Sequence, residues 1–279
     1  MTNQDLLKPV FEIKDDINPA SCELLCEISD EGFTYLVKDE EKNMVVAFAV
    51  YHFNTHMHGS FSSIFQKIFE EQEVLNENFK KIFLIYSLPE SVLIPFSLYN
   101  SKKNGEIMNL IHGDLSANRV ILTDMLMEQK VYNSYRVPIE LITEIRNKFP
   151  VAEAFHQYSV LMKNSSPGRN KLSVIFYPKK IVVVLEHGGK LQLMNSYSYN
   201  TPEDVSYHLL NACRQFEIDN IPVEVAGLIE RDSELYKEIY KYFESVSFHK
   251  SPKGISLSEK IDTYPPHYFS HFFAVETCE

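Results

Sequence analysis

No stretch of this sequence reaches about 18 consecutive apolar residues, so nothing in it reads as a membrane-spanning helix. The first sixteen residues mix acids and lysines around a short apolar stretch and carry no secretory signal pattern, which leaves the cytoplasm as the expected compartment. Basic runs are also missing, and the net charge of -11 opposes contact with phosphate backbones and anionic membranes; neither nucleic acid nor membrane is expected as a partner. Four cysteines are too few for a disulfide framework in a chain of 279 residues. Cys22 and Cys26 fall on one face of a predicted strand and read as core thiols. The sequence has no Gly-x-Ser-x-Gly elbow, no Walker-type loop and no dinucleotide fingerprint. These absences remove the commonest hydrolase, nucleotidase and dehydrogenase plans.

What is present is a hydrophobic fraction of 44%, enough for a substantial core, and a length that suits two ordinary domains. The clearest organisation lies between Lys171 and Phe248. Lys171 to Tyr177, Lys180 to Glu186 and Lys190 to Tyr199 are three runs rich in Val, Ile, Leu and Tyr, joined by Tyr177-Pro178-Lys179 and His187-Gly188-Gly189. Short turns between β-prone runs predict an antiparallel meander. Thr201 as N-cap, Pro202 as first helical residue and early carboxylates then open a helix carrying Val205, Leu209, Ala212 and Phe216. Val223 to Leu228 reads as a fourth strand, and Ser233 to Phe243 as a second helix.

This β-β-β-α-β-α order appears a second time near the N-terminus. Cys22 to Ile28, Phe33 to Val37 and Met44 to Phe53 form a meander, followed by a helix through Phe61, Ile64, Phe65, Ile68 and Phe69. A strand at Lys81 to Tyr86 and a weaker helix around Lys102 to Ile111 complete the set. No repeat is visible at the level of residues. A duplicated unit of this order is the plan of the ribonuclease-H-like half-domains of actin-like ATPases, so the expected fold class is α/β with mixed sheets, two such lobes flanking a cleft. The expected lobes are residues 1–163 and 164–279, divided at the loop-like Asn164 to Asn170. The remaining expectations are an edge strand within Leu6 to Ile17, an edge segment or buried loop at Pro89 to Tyr99, strands at Asn118 to Thr123 and Lys130 to Val137, a helix starting at Pro138, a strand at Ala154 to Met162 and a closing helix at Tyr264 to Val275.

Actin-like ATPases grip phosphates with the backbone N-H groups of two hairpin turns, so the corresponding turns are the candidate sites. Glu27 to Gly32 keeps a glycine but sets Glu27, Asp30 and Glu31 where phosphate oxygens would lie. Phe176 to Lys180 has no glycine, and its Pro178 has no N-H to donate, although Lys179 and Lys180 attract anions. The adenine-side run Val225 to Glu230 offers the single glycine Gly227. Ser29, Asp30, Gly32, Lys179, Lys180 and Gly227 are therefore the ligand-cleft candidates; no catalytic residue and no cofactor is assigned.

Three other clusters have plainer explanations. His112 to Asn118 is similar to a kinase catalytic loop, but Asp114 and Asn118 are one residue too close and no glycine-rich loop precedes them; a helix-ending turn at Gly113 explains the same letters. His52, His56 and His58 cross a strand exit whose geometry fixes no metal, and read as a polar loop. His267 and His271, one helical turn apart among aromatics, read as packing residues.

The Ile28 to Phe33 turn, Phe149-Pro150 followed by His156, the Tyr199 to Asp204 run and the closing Tyr264 to Phe269 together resemble the uncharacterised bacterial family called domain of unknown function 3822. The resemblance runs over nearly the whole chain. It implies an actin-like ATPase fold with no assigned activity and brings no catalytic residues. The expectation is a degenerate ATPase, more a binder or scaffold for another protein than an enzyme. The alternative is a nucleotide-dependent ATPase or phosphotransferase using the cleft.

Overall fold

The chain opens with four strands, β1 (Phe11–Lys14), β2 (Cys22–Ile28), β3 (Gly32–Asp39) and β4 (Met44–His52). The computed structural model describes residues 9–53, 59–163, 168 and 170–274. β2, β3 and β4 form the antiparallel meander that the turn residues predict, and β1 adds to the outer edge of β4. After α1 (Phe61–Glu71) comes β5 (Lys81–Tyr86), which lies parallel to β2. The chain then runs through β6 (Ser91–Pro95), α2 (Asn104–His112), β7 (Arg119–Leu126), β8 (Val131–Pro138) and α3 (Ile139–Lys148) before β9 (Glu153–His156) joins β5 in parallel and α4 (Gln157–Lys163) follows.

The main sheet has the order β1-β4-β3-β2-β5-β9. Alternation at period two puts Leu24, Cys26, Ile28, Phe33, Tyr35 and Val37 on one face, where they meet Ile64, Phe65 and Ile68 of α1 and Leu141, Ile142 and Ile145 of α3. Cys22 and Cys26 are fully buried in this core with free thiols.

Two expectations change here, and the edge-segment reading of Pro89 to Tyr99 holds. The helix near 102–111 forms, but it belongs to an insert built on the separate sheet β6-β8-β7, and α3 is the helix that packs beside α1. Pro89 to Tyr99 supplies β6, with Pro95 as its last residue and on an edge, where a missing N-H is tolerated. Ala154 to Met162 is not one strand. It alternates like one, but β9 ends at His156 because Gln157 and Ser159 turn inward to protein partners: Gln157 bonds the buried Glu27 and Ser87, and Ser159 bonds the half-buried Asp124. A helical turn is what lets residues 157–160 all be buried together.

The second meander is β10 (Lys171–Phe176), β11 (Lys180–His187) and β12 (Lys190–Ser198). Gly188 and Gly189 both have positive φ, 60° and 73°, which is the mirror-image turn that a two-residue hairpin favours. α5 (Pro202–Gln215) starts with a full capping box: Thr201 Oγ1 accepts the Asp204 N-H, and the Asp204 carboxylate accepts the Thr201 N-H. β13 (Val223–Gly227) lies parallel to β10, and after α6 (Glu234–Tyr240) β14 (Val246–Phe248) lies parallel to β13. The sheet order β12-β11-β10-β13-β14 repeats the order β4-β3-β2-β5-β9 strand for strand.

The chain forms two compact units, but the second is not one unbroken run. Gly254–Thr263 belongs to the first unit, where β15 (Ser256–Leu257) pairs in parallel with β4. The expected closing helix is absent from 264–274, which makes 3-10 turns instead, one of them at Pro266–Tyr268. Val275 lies outside the described residues. No helix among the described residues is long and apolar enough to cross a membrane.

Candidate functional site

In the first unit, Ser29, Asp30 and Gly32 sit together in the turn from β2 to β3. The Ser29 N-H donates to Gly32 O at 2.9 Å, and Ser29 Oγ accepts the Glu31 N-H at 3.3 Å, so two turn amides are engaged within the turn. A Cβ on Gly32 would stand 3.0 Å from Tyr51 O, which explains the small residue. Glu31 is exposed and Asp30 half-buried, whereas Glu27 points into the protein and accepts from Gln157. Of the three carboxylates expected at this turn, Asp30 and Glu31 are therefore left at its surface and Glu27 is not.

In the second unit, Lys179, Lys180 and Gly227 gather at one end of the sheet because β10 and β13 run parallel and place Phe176 beside Gly227. The Tyr177 N-H donates to Lys180 O at 2.8 Å and the Leu228 N-H to Phe176 O at 2.9 Å. Pro178 has no N-H, and the Lys179 carbonyl accepts from Tyr199. Lys179 is exposed, and Lys180 Nζ lies 4.9 Å from the Tyr177 ring centroid. Gly227 has φ +77°, and a Cβ there would meet Phe176 O at 2.3 Å. Its glycine is needed for backbone packing, whatever else this end of the sheet does.

The segment after Tyr264 covers this same end, a feature that the sequence reading missed. His267 is buried and its Nε2 donates to Ile229 O at 2.7 Å, while the Tyr268 hydroxyl donates to Glu230 at 2.9 Å. Both contacts fall in the run following Gly227. Burial holds the His267 pKa below its ordinary value. The His271 ring stands edge-on to Tyr177, with 5.9 Å between centroids. Both His271 nitrogens are shielded from solvent without a hydrogen-bond partner among the described residues, and burial, with His249 nearby, pushes its pKa down to about 3. The density of His and aromatic residues between 264 and 273 was the available signal, but nothing in its spacing names what it packs on.

The remaining clusters have simpler geometry. Gly113, at φ +78°, ends α2, Asp114 is exposed, and Ser116 bonds Asn118, so the kinase-like letters form a helix-ending turn. His52 ends β4, while His56 and His58 lie outside the described residues. Among the described residues no group of three or more His, Cys, Asp or Glu is placed to hold a metal.

With this geometry in place, comparison with known proteins agrees on family and fold. Residues 12–246 match the family described as protein of unknown function DUF3822. A crystal structure from Bacteroides thetaiotaomicron VPI-5482, described as a protein with actin-like ATPase fold and unknown function, superposes with a TM-score of 0.72 at 18% identity, covering 94% of this chain and 97% of that one. A chain of the PilM-PilN type IV pilus biogenesis complex superposes with a TM-score of 0.62 at 10% identity, covering 94% of this chain and all of that one, 100%. These likenesses show an actin-like ATPase fold. No curated protein matches the sequence.

Proposed function

We propose that this chain, which belongs to the DUF3822 family of proteins of unknown function and has the actin-like ATPase fold, is a degenerate ATPase that works by binding another protein. The observation that carries the reading is the seating of His267 and Tyr268 on Ile229 and Glu230, the run where an adenine-side turn would be exposed. His267 and Tyr268 occupy the Ile229 carbonyl and the Glu230 carboxylate in that run. The phosphate turns support the same reading: Asp30 and Glu31 oppose a triphosphate in one unit, and in the other Pro178 and the engaged Tyr177 amide leave few donors.

A binding role is compatible with this architecture, since a chain of the PilM-PilN complex has the same fold and is found assembled with another protein. Ser29, Asp30 and Gly32 in one unit, and Lys179, Lys180 and Gly227 in the other, remain the residues at which a ligand of either unit would be met. Thermal shift and isothermal titration with ATP and magnesium test the proposal, because a ligand of the native state raises the melting temperature. The expected result is no shift and no saturable heat. Binding at micromolar or tighter affinity, or phosphate release abolished by Asp30→Ala, overturns it in favour of the nucleotide-dependent alternative.

A further inference from the structure

Among the described residues, the insert of the first unit leaves the backbone edge of β7 unpaired. In the sheet β6-β8-β7 both outer strands are edges; β6 is short and ends on Pro95, whereas β7 runs eight residues from Arg119 to Leu126. The direction of its backbone groups follows from the ladder. The Ile139 N-H donates to Asn118 O, and Pro138, which has no N-H, stands opposite Arg119. Antiparallel pairs alternate between bonded and non-bonded, so Val120, Leu122, Asp124 and Leu126 bond β8. The far side of β8 fixes the same alternation independently, because the Arg136 N-H donates to Glu90 O and the Phe96 N-H to Lys130 O. The N-H and C=O groups of Ile121, Thr123 and Met125 therefore point away from the sheet.

Exposed edges are ordinarily blunted by Lys, Pro, a bulge or a covering element. β7 contains neither Lys nor Pro and pairs with β8 without a register shift. Thr123 is exposed, Met125 is 54% exposed, and Met127 just beyond is 63% exposed. The other long edges are treated differently. β4 is paired with β1 and β15, and β12 carries a register shift in its pairing with β11, with the Ser196 N-H held by Asn195 Oδ1 at 2.9 Å.

We propose that β7 pairs antiparallel with β7 of a second copy of this chain, across a two-fold axis through Thr123. The outward groups centre on that residue, so this register sets Ile121 against Met125, Thr123 against itself and Val120 against Leu126, and each outward pair can exchange two hydrogen bonds. Arg119, bridged to Glu90 at 3.2 Å, falls opposite Met127 and Leu122 opposite Asp124, so no two like charges meet. That matters for a chain of net charge -11, which repels its own copies elsewhere. One strand pair buries little area, so the association is weak and strengthens as salt screens the net charge. The inference does not depend on whether nucleotide binds.

Sedimentation of the full-length protein over a concentration series tests it, alongside Met125→Pro and Met125→Lys. Neither change removes a donor from the β7–β8 ladder, so both variants should keep the wild-type circular dichroism and melting temperature while the dimer midpoint rises at least about tenfold. In the wild type, amide exchange in the peptide spanning 119–127 should slow as concentration rises. A wild-type protein that stays monomeric into the high micromolar range, dimerisation unmoved by both variants, or exchange at 119–127 independent of concentration overturns the proposal. If Met125→Pro unfolds the protein, Met125→Lys and the exchange measurement still decide.

Discussion

The two units carry the same five strands in the same order, with a helix after each meander, and differ at the outer meander strand and in the crossover that follows. In the first, the outer meander strand β4 is covered by β1 and β15, and the connection from β5 to β9 holds a three-stranded sheet and two helices. In the second, β12 is the last strand of its sheet, and a single helix, α6, joins β13 to β14. The difference shows where an α/β unit of this kind is constrained. The central strands, β2 and β3 in one unit and β10, β11 and β13 in the other, are buried on both faces, whereas the outer strands and the crossover are more open to water and accept additions.

The comparison can be broken most sharply at the two glycines. Gly227→Ala forces a Cβ to within 2.3 Å of Phe176 O at a positive φ and should cost more than about 4 kcal/mol in a denaturant titration, because backbone has to move. Gly32→Ala, at the 3.0 Å contact in the first unit, should cost clearly less. Equal costs would show that the two sheet ends are built under the same constraint.

Next in size is the insert, which has no counterpart in the second unit. Arg136, 2% exposed, donates to Glu90, Asn109 and Gly113 and so ties α2 to the strands. Arg136→Met should cost about 2 kcal/mol, since it removes the three hydrogen bonds that a buried guanidinium makes to partly exposed acceptors. If the insert is an independent addition, amide exchange should quicken in α2 and leave the second unit unchanged.

The helix starts give a smaller test. Thr201→Ala removes the α5 cap and Ser60→Ala the α1 cap, where Ser60 Oγ accepts the Ser63 N-H at 3.3 Å. Each should cost about 1 kcal/mol, with Thr201 the larger because the box is reciprocal. Urea midpoints of the two variants measure the difference.

The smallest effect at neutral pH concerns His271. Its folded-state pKa of about 3 lies below the ordinary 6.5, so the unfolded chain binds the proton more readily. The stability it contributes is complete above about pH 6.5 and is lost as pH falls from there toward 3. His271→Phe should therefore change the melting temperature little at pH 8 and flatten its decline between pH 6.5 and 4. A decline as steep as that of the wild type would remove His271 as its cause.

Much of the body was legible because period and punctuation agreed. Cys22–Ile28 and Lys81–Tyr86 were bounded by their patterns alone, and Thr201-Pro202 marked a helix start that the capping box realises. The misreadings share a cause. At 154–162 and 264–274, apolar alternation or helical spacing was present, but side chains reaching distant partners set the backbone: Gln157 to Glu27, Ser159 to Asp124, His267 to Ile229. The candidate residues were legible as turns, and each set of three comes together within its own unit. The seating of His267 and Tyr268 on Ile229 and Glu230 was not legible, since it joins residues 38 apart in sequence.

The sequence by itself determined the strands, the two meanders and the order of elements, because alternation, turn chemistry and caps act over a few residues. Only the tertiary structure decided which helix backs the first sheet, that residues 254–263 return to it, and that a C-terminal segment seats on the end of the second. Those choices depend on buried polar groups finding partners far along the chain, and local pattern holds no record of them.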